Sequence, residues 1–166
     1  MDSLRDMRLE ILEKFYQTQG EVRHIGEGSM ITRADYHHQD KVYVGTNSAN
    51  IWKLQDHETT YIFSGDILTS QAYESNVQSA MGDLGGVLMP HKKLRSATLT
   101  LIMIYDSAEP DVIEVVKSHD YKVYHKYSLN GWTIHRIALI LTDSDEIVTD
   151  KRAESLERRL RNIMSL

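Results

Sequence analysis

The stretch from residue 53 to 58 holds two acids and a lysine, and an acid and a histidine stand two apart at 35 and 37. Asp35, Asp56 and Glu58 with Lys53 are the residue types of a metal-dependent phosphodiesterase or nuclease. There the carboxylates hold a divalent ion and the lysine stabilises charge on the attacked phosphate. In Glu58, Thr59, Thr60 a threonine stands where such a motif needs lysine, so Lys53 has to reach in from another strand. Asp35 and His37 share one face of a strand and offer two metal ligands, which His57 and Glu58 could extend. A third placed ligand is missing, and neither a metal nor a cofactor is expected. The string Pro110, Asp111, then Asp120 and Lys122 has the literal form PD…DxK. A helix between the two acids separates them by roughly 12 Å at 1.5 Å rise per residue, too far to share an ion.

A second group of candidates lies in KVYHKYSLNGWTIHRIALIL, Lys122 to Leu141. With Asn130 and Gly131 at the centre of a type I′ turn, Leu129 pairs with Trp132, Tyr127 with Ile134, His125 with Arg136 and Val123 with Ala138, all on one face. Lys122 then stands opposite Leu139 on the other face. His125 and His135 project to opposite sides and cannot hold one metal together. A covered Arg136 requires an acidic partner, with His125 beside it. Left open, Trp132, Arg136 and His125, together with His91 in the loop before the strand that starts at Ser96, form a ligand or partner surface, the first candidate for a protein contact or self-association.

Composition narrows the classes. The 166 residues fit one domain, 1–166, able to close its own core. There is no cysteine, so disulfides and thiolate sites are excluded, and the absence fits a reducing compartment. The N-terminus MDSLRDMRLEILEKF is charged throughout, and no apolar run reaches the roughly 20 residues of a membrane span, so a cytoplasmic protein without membrane contact is expected. The net charge of −5 speaks against nonspecific nucleic-acid binding. A local basic face remains in Lys92, Lys93 and Arg95 and along the last helix. On that helix, however, Glu154 and Glu157 interleave with Arg158 and Arg161 as i,i+4 partners.

The elements that would position these residues read as follows. Leu4, Met7, Ile11, Leu12 and Phe15 predict an amphipathic helix, opened by a capping box at Ser3 and Asp6 and closed by Gly20. Residues 29–64 read as an antiparallel meander of short strands broken at HQD, NSA and QDHE. Thr69 to Leu84 predicts a helix ended by Gly85 and Gly86. SATLTLIMIYD is apolar on both faces, as a central strand is. Pro110 opens a crossover helix, and Asp150 caps the last one. The fold class is α+β: one mixed sheet made of a meander, a β-α-β crossover and a C-terminal hairpin, flanked by about four helices.

The chain resembles a family of small uncharacterised archaeal and bacterial proteins. The resemblance runs nearly end to end and is carried by Ala34 to His37, Tyr43, Trp52, Glu58 with Tyr61, Pro90 with His91, Thr98, Thr100, Lys126, Gly131 with Trp132, Arg136, and the junction Thr149, Asp150. Where that family pattern has asparagine and glycine at the junction, this chain has Asp150 and Ala153, which counts against a binding role there. The order helix, three strands, helix, strand also resembles the core of the restriction-endonuclease-like fold, whose acids come from the second and third strands. The resemblance implies a domain of unknown function. The expected role is binding or interaction rather than catalysis, with a nuclease on that scaffold and a non-catalytic nucleic-acid-binding module as the rival readings.

Overall fold

The computed structural model describes residues 3–43, 51–87, 94–124 and 132–165. Four helices, α1 (Leu4–Gln19), α2 (Ser70–Val87), α3 (Pro110–Ser118) and α4 (Glu154–Met164), flank one mixed sheet. Its strands are β1 (Glu21–Glu27), β2 (Met30–Tyr43), β3 (Ile51–Leu68), β4 (Leu94–Ala108), β5 (Lys122–Tyr124), β6 (Trp132–Leu141) and β7 (Glu146–Thr149). The spatial order is β1-β2-β3-β4-β6-β5, with β7 also paired to β6. β1, β2 and β3 are an antiparallel meander, β3, β4 and β6 run parallel, and β5 and β7 pair antiparallel to β6.

The two parallel steps carry α2 and α3 to one face, as right-handed crossovers advancing in one direction must. Tyr73, Ala80 and Leu84 of α2 and Val112 and Val116 of α3 pack there on Tyr61, Phe63, Leu99, Leu101, Met103, Ile137 and Leu139. α1 and α4 cover the other face, where Leu12, Leu156 and Leu160 meet Ile62, Ile102, Ile104, Ala138 and Ile140. β4 therefore feeds both layers, which is why its sequence lacks the alternation of a half-exposed strand. Each large apolar side chain fully buried this way contributes roughly 1.5–3 kcal/mol.

Local signals hold where the partners are local. Ser3 and Asp6 form the reciprocal capping box of α1, and Pro110 opens α3 behind Glu109. Elsewhere tertiary partners decide. The breaks expected at HQD and QDHE are absent: β2 and β3 run through them as one ladder from Met30↔Phe63 to Tyr43↔Ile51. β1 and β7 are strands the sequence reading missed, and α2 continues through Gly85 and Gly86. On α1 the buried residues are Arg8, Leu12 and Tyr16, while Leu4, Met7 and Ile11, expected inside, are 40–47% exposed.

The C-terminal hairpin exists in a different register. Lys122 pairs with Ile134 and Tyr124 with Trp132, so Val123 stands opposite Thr133 and not Ala138. The pairing expected for Val123 is thus replaced, and the expected turn itself, at Asn130 and Gly131 within residues 125–131, lies outside the described part of the chain. The cause is competition for one edge of β6. Its distal half, Ala138 to Leu141, is taken by β7 through Thr149 to Glu146, which leaves β5 only the proximal end.

Candidate functional site

Register explains why the α1/α4 face has one wet end. Across β3, β4 and β6, the row Ile62, Ile102, Ala138 is apolar; the next, Thr60, Thr100, Arg136, is polar; and the one beyond it is Glu58, Thr98, Ile134. Over this polar end lies the last turn of α1. A cavity of about 230 Å³ opens between them, lined by Tyr16, Gln19 and Gly20 from the end of α1, Ala34 and Asp35 from β2, Glu58 and Thr60 from β3, and Arg159 from α4.

Tyr16 is the residue that marks the site. It is 6% exposed, and its hydroxyl lies beside Thr60 without a hydrogen bond of acceptable geometry. Burial first of all pushes its phenol up to about 12; the Thr60 hydroxyl opposes this, Glu58 adds to it, and Arg159 and Arg136 work against it. Charges of both signs therefore act on one buried hydroxyl. Glu58 is half-buried and accepts a hydrogen bond from the Thr100 hydroxyl at 3.3 Å. Arg136 is half-buried, its Nε enclosed without a hydrogen bond; the acidic partner expected for it is not found among the described residues. Arg159 makes no ion pair among the described residues, whereas its neighbours Arg158 and Arg161 pair with Glu154 and Glu157 at i,i+4, as the sequence suggested.

Of the phosphodiesterase candidates, the two with described side chains, Asp35 and Glu58, lie on opposite faces of the sheet. Asp35 is buried, with its carboxylate held bidentately by Arg33 (Nε–Oδ2 2.8 Å, Nη2–Oδ1 3.0 Å) and by the Thr59 hydroxyl at 2.8 Å. Arg33 also donates to Asp83, to which the Tyr61 hydroxyl donates as well. That network belongs to the α2/α3 face. Glu58 alternates with Thr59 and faces α1, so the sheet stands between the two carboxylates. Asp56 and Lys53 occupy β3 positions opposite His38 and Lys41, and their side chains lie outside the described residues, as do that of His37 and the whole of His91 and His125. Trp132 is half-buried, with the Lys122 ammonium 5.5 Å from its ring and 4.7 Å from that of Tyr124.

Two polar clusters escaped the sequence reading. On the α2/α3 face, Tyr73 Oη lies 3.3 Å from His119 Nδ1, His119 Nε2 lies 3.2 Å from His135 Nδ1, and the Tyr121 ring stacks on His135 at 3.7 Å. Burial, then the neighbouring His119, pushes His135 down to about 4, and burial lowers His119 as well. Both imidazoles are neutral at pH 7. Nothing in the spacing of residues 73, 119 and 135 announces the cluster, because three different elements supply it. The second cluster is Asp150, expected as the cap of α4, whose N-cap is instead Ala153. Asp150 sits at the edge of β6 between β5 and β7: its amide donates to the Ile137 carbonyl and its Oδ1 accepts from the Ile137 amide, both at 3.1 Å. It completes the ladder where neither strand reaches. Burial pushes its carboxyl up to about 6 against the pull of that amide bond.

Comparison with curated proteins and with solved structures returns no match. The end-to-end resemblance to an uncharacterised family is confirmed: a family model described as a domain of unknown function (DUF8052) matches residues 4–162, and the chain belongs to that family.

Proposed function

We propose that this protein is a binding domain that holds a small polar molecule in the cavity beneath the last turn of α1 and performs no chemistry on it. The observation that carries this is a polar-lined cavity with Tyr16 in its wall, whose buried hydroxyl makes no hydrogen bond of acceptable geometry. Leaving such a group unsatisfied costs about 1–3 kcal/mol, and a ligand oxygen or nitrogen removes that cost. At about 230 Å³ the space suits a metabolite rather than a drug-sized compound. Glu58 is the carboxylate available in the cavity, and Asp35 is committed to Arg33 across the sheet. Ion-dependent phosphate chemistry requires two or more oxygen ligands in one place. With this reading go residues 1–166 as one domain and a location in the cytoplasm, supported by the single continuous sheet and the cysteine-free sequence. Among the described residues no helix is long and apolar enough to cross a membrane. The edge of β5, where Val123 and Tyr124 are exposed beside Trp132, is the surface for a protein partner or a second copy.

The test is thermal stability of wild type and Tyr16→Phe against a panel of small polar metabolites. Removing an unbonded hydroxyl should leave the unliganded protein as stable as before or slightly more so, while the shift given by the binding compound disappears. A panel that shifts nothing, together with a Phe variant destabilised by more than about 1 kcal/mol, would show the hydroxyl to be structurally bonded and the proposal wrong.

A further inference from the structure

Resting on that reading, we infer that the ligand carries both an anionic group and a cationic amine: a free amino acid or a closely related amino-carboxylate. Glu58 and Arg159 line the same cavity but do not pair with each other. Arg159 stands between two arginines that are each paired on their own helix. Among the described residues Glu58 has one hydroxyl donor, at 3.3 Å, for a carboxylate able to accept about four hydrogen bonds. Tyr16, Gln19 and Thr60 complete the wall of the cavity that the two charged residues share.

The charge balance of the lining selects the ligand. The Asp35 carboxylate lies across the sheet, paired with Arg33, so Glu58 and Arg159 are the charged side chains of the lining on this face. A simple anion satisfies Arg159 and faces Glu58; a simple cation does the reverse. Either arrangement sets like charges near one another across the cavity. A zwitterion satisfies both, with its ammonium on Glu58, its carboxylate on Arg159, and Tyr16, Thr60 and Gln19 left for neutral hydrogen bonds. Arg136 lies beyond Thr100 in the same row. The size of the cavity and its small wall at Gly20 and Ala34 favour a short side chain.

The experiment is calorimetric titration of the full chain at pH 7 with the common L-amino acids, and with propionate and propylamine as single-charge controls. At least one small amino acid should bind, with both controls at least tenfold weaker, a difference of about 1.4 kcal/mol. Glu58→Gln should weaken the amino acid at least tenfold and narrow its advantage over propionate. Arg159→Gln, an exposed position whose loss leaves folding intact, should narrow the advantage over propylamine instead. Amino-acid affinity indifferent to both substitutions overturns the inference. A monosaccharide or inorganic phosphate that binds in a Tyr16-dependent manner while amino acids do not overturns it too, yet leaves the binding reading standing. Silence from every probe, with Tyr16→Phe destabilising, removes both.

Discussion

The two ends of α1 meet the same sheet face and treat charge in opposite ways. The first turns lie over the carboxyl ends of β3, β4 and β6. There Arg5 donates to the Gly65 carbonyl at 2.8 Å and to Asp106 at 2.9 Å, and also pairs with Asp66. Arg8 pairs with Asp145 in the β6–β7 turn, and Thr142 donates to Asp106 at 2.8 Å. One Arg8 amino nitrogen lacks a partner, but each guanidinium has a carboxylate. At the other end Arg136 and Arg159 have none among the described residues, the Tyr16 hydroxyl has no hydrogen bond of acceptable geometry, and a cavity opens beside Tyr16 and Arg159. One end is an anchor and the other is open to an occupant. The difference teaches that burial of polar groups alone does not mark a site: the marker is burial without a partner.

The largest effect should come from breaking the anchor. Arg8→Ala should lower unfolding free energy by about 2–4 kcal/mol in urea denaturation, since it strips the buried half of an ion pair and its packing. A loss under 1 kcal/mol would mean the anchor contributes no more than an exposed pair. Next is Gly65→Ala, whose Cβ would lie 2.6 Å from the Tyr105 ring. Displacing that ring also disturbs its hydroxyl, which accepts from Asn76 at 3.0 Å. The expected cost is about 1–3 kcal/mol, and a thermal midpoint equal to wild type would contradict this packing.

The open end should be nearly silent without ligand. Arg159→Ala should change stability by less than about 0.5 kcal/mol, so a larger loss by the same urea measurement would make it a second anchor and abolish the contrast.

The opposite face offers a contrast that pH can separate. His135, held near 4, resists protonation when folded; its contribution is present above the ordinary 6.5 and is lost as pH falls toward 4. Asp150, raised to about 6, acts the other way, its folded form gaining as pH falls below 6. Between pH 6.5 and 4 the two oppose. Asp150→Asn removes the compensation, so its unfolding free energy should fall more steeply between pH 6.5 and 4.5 than that of wild type. Parallel curves in chemical denaturation at several pH values would mean that one of the two groups does not titrate as its burial requires.

The sequence by itself determined what depends on neighbours within a few residues or on the period of an element. The Ser3 and Asp6 box, Pro110 at the start of α3, the all-apolar β4 and the i,i+4 pairs of α4 follow from residue types and spacing, and together they specified a mixed sheet with helices on both faces. Glu58 and Arg136 were also legible as candidates, Glu58 as an acid on the meander where a nuclease-like scaffold places its carboxylates, Arg136 because it interrupts an otherwise apolar row. What the tertiary structure alone decided is every competition between distant segments. The rotation of α1 follows carboxylates at 66, 106 and 145 rather than the apolar stripe at Leu4, Met7 and Ile11. The hairpin register follows the claim of β7 on the outer edge of β6, and Asp150 becomes a ladder partner because neither strand covers Ile137. The cavity belongs to this second class: Tyr16 and Arg159 reach Glu58 from helices about 40 and 100 residues away in sequence, and long-range closure leaves no local period to read.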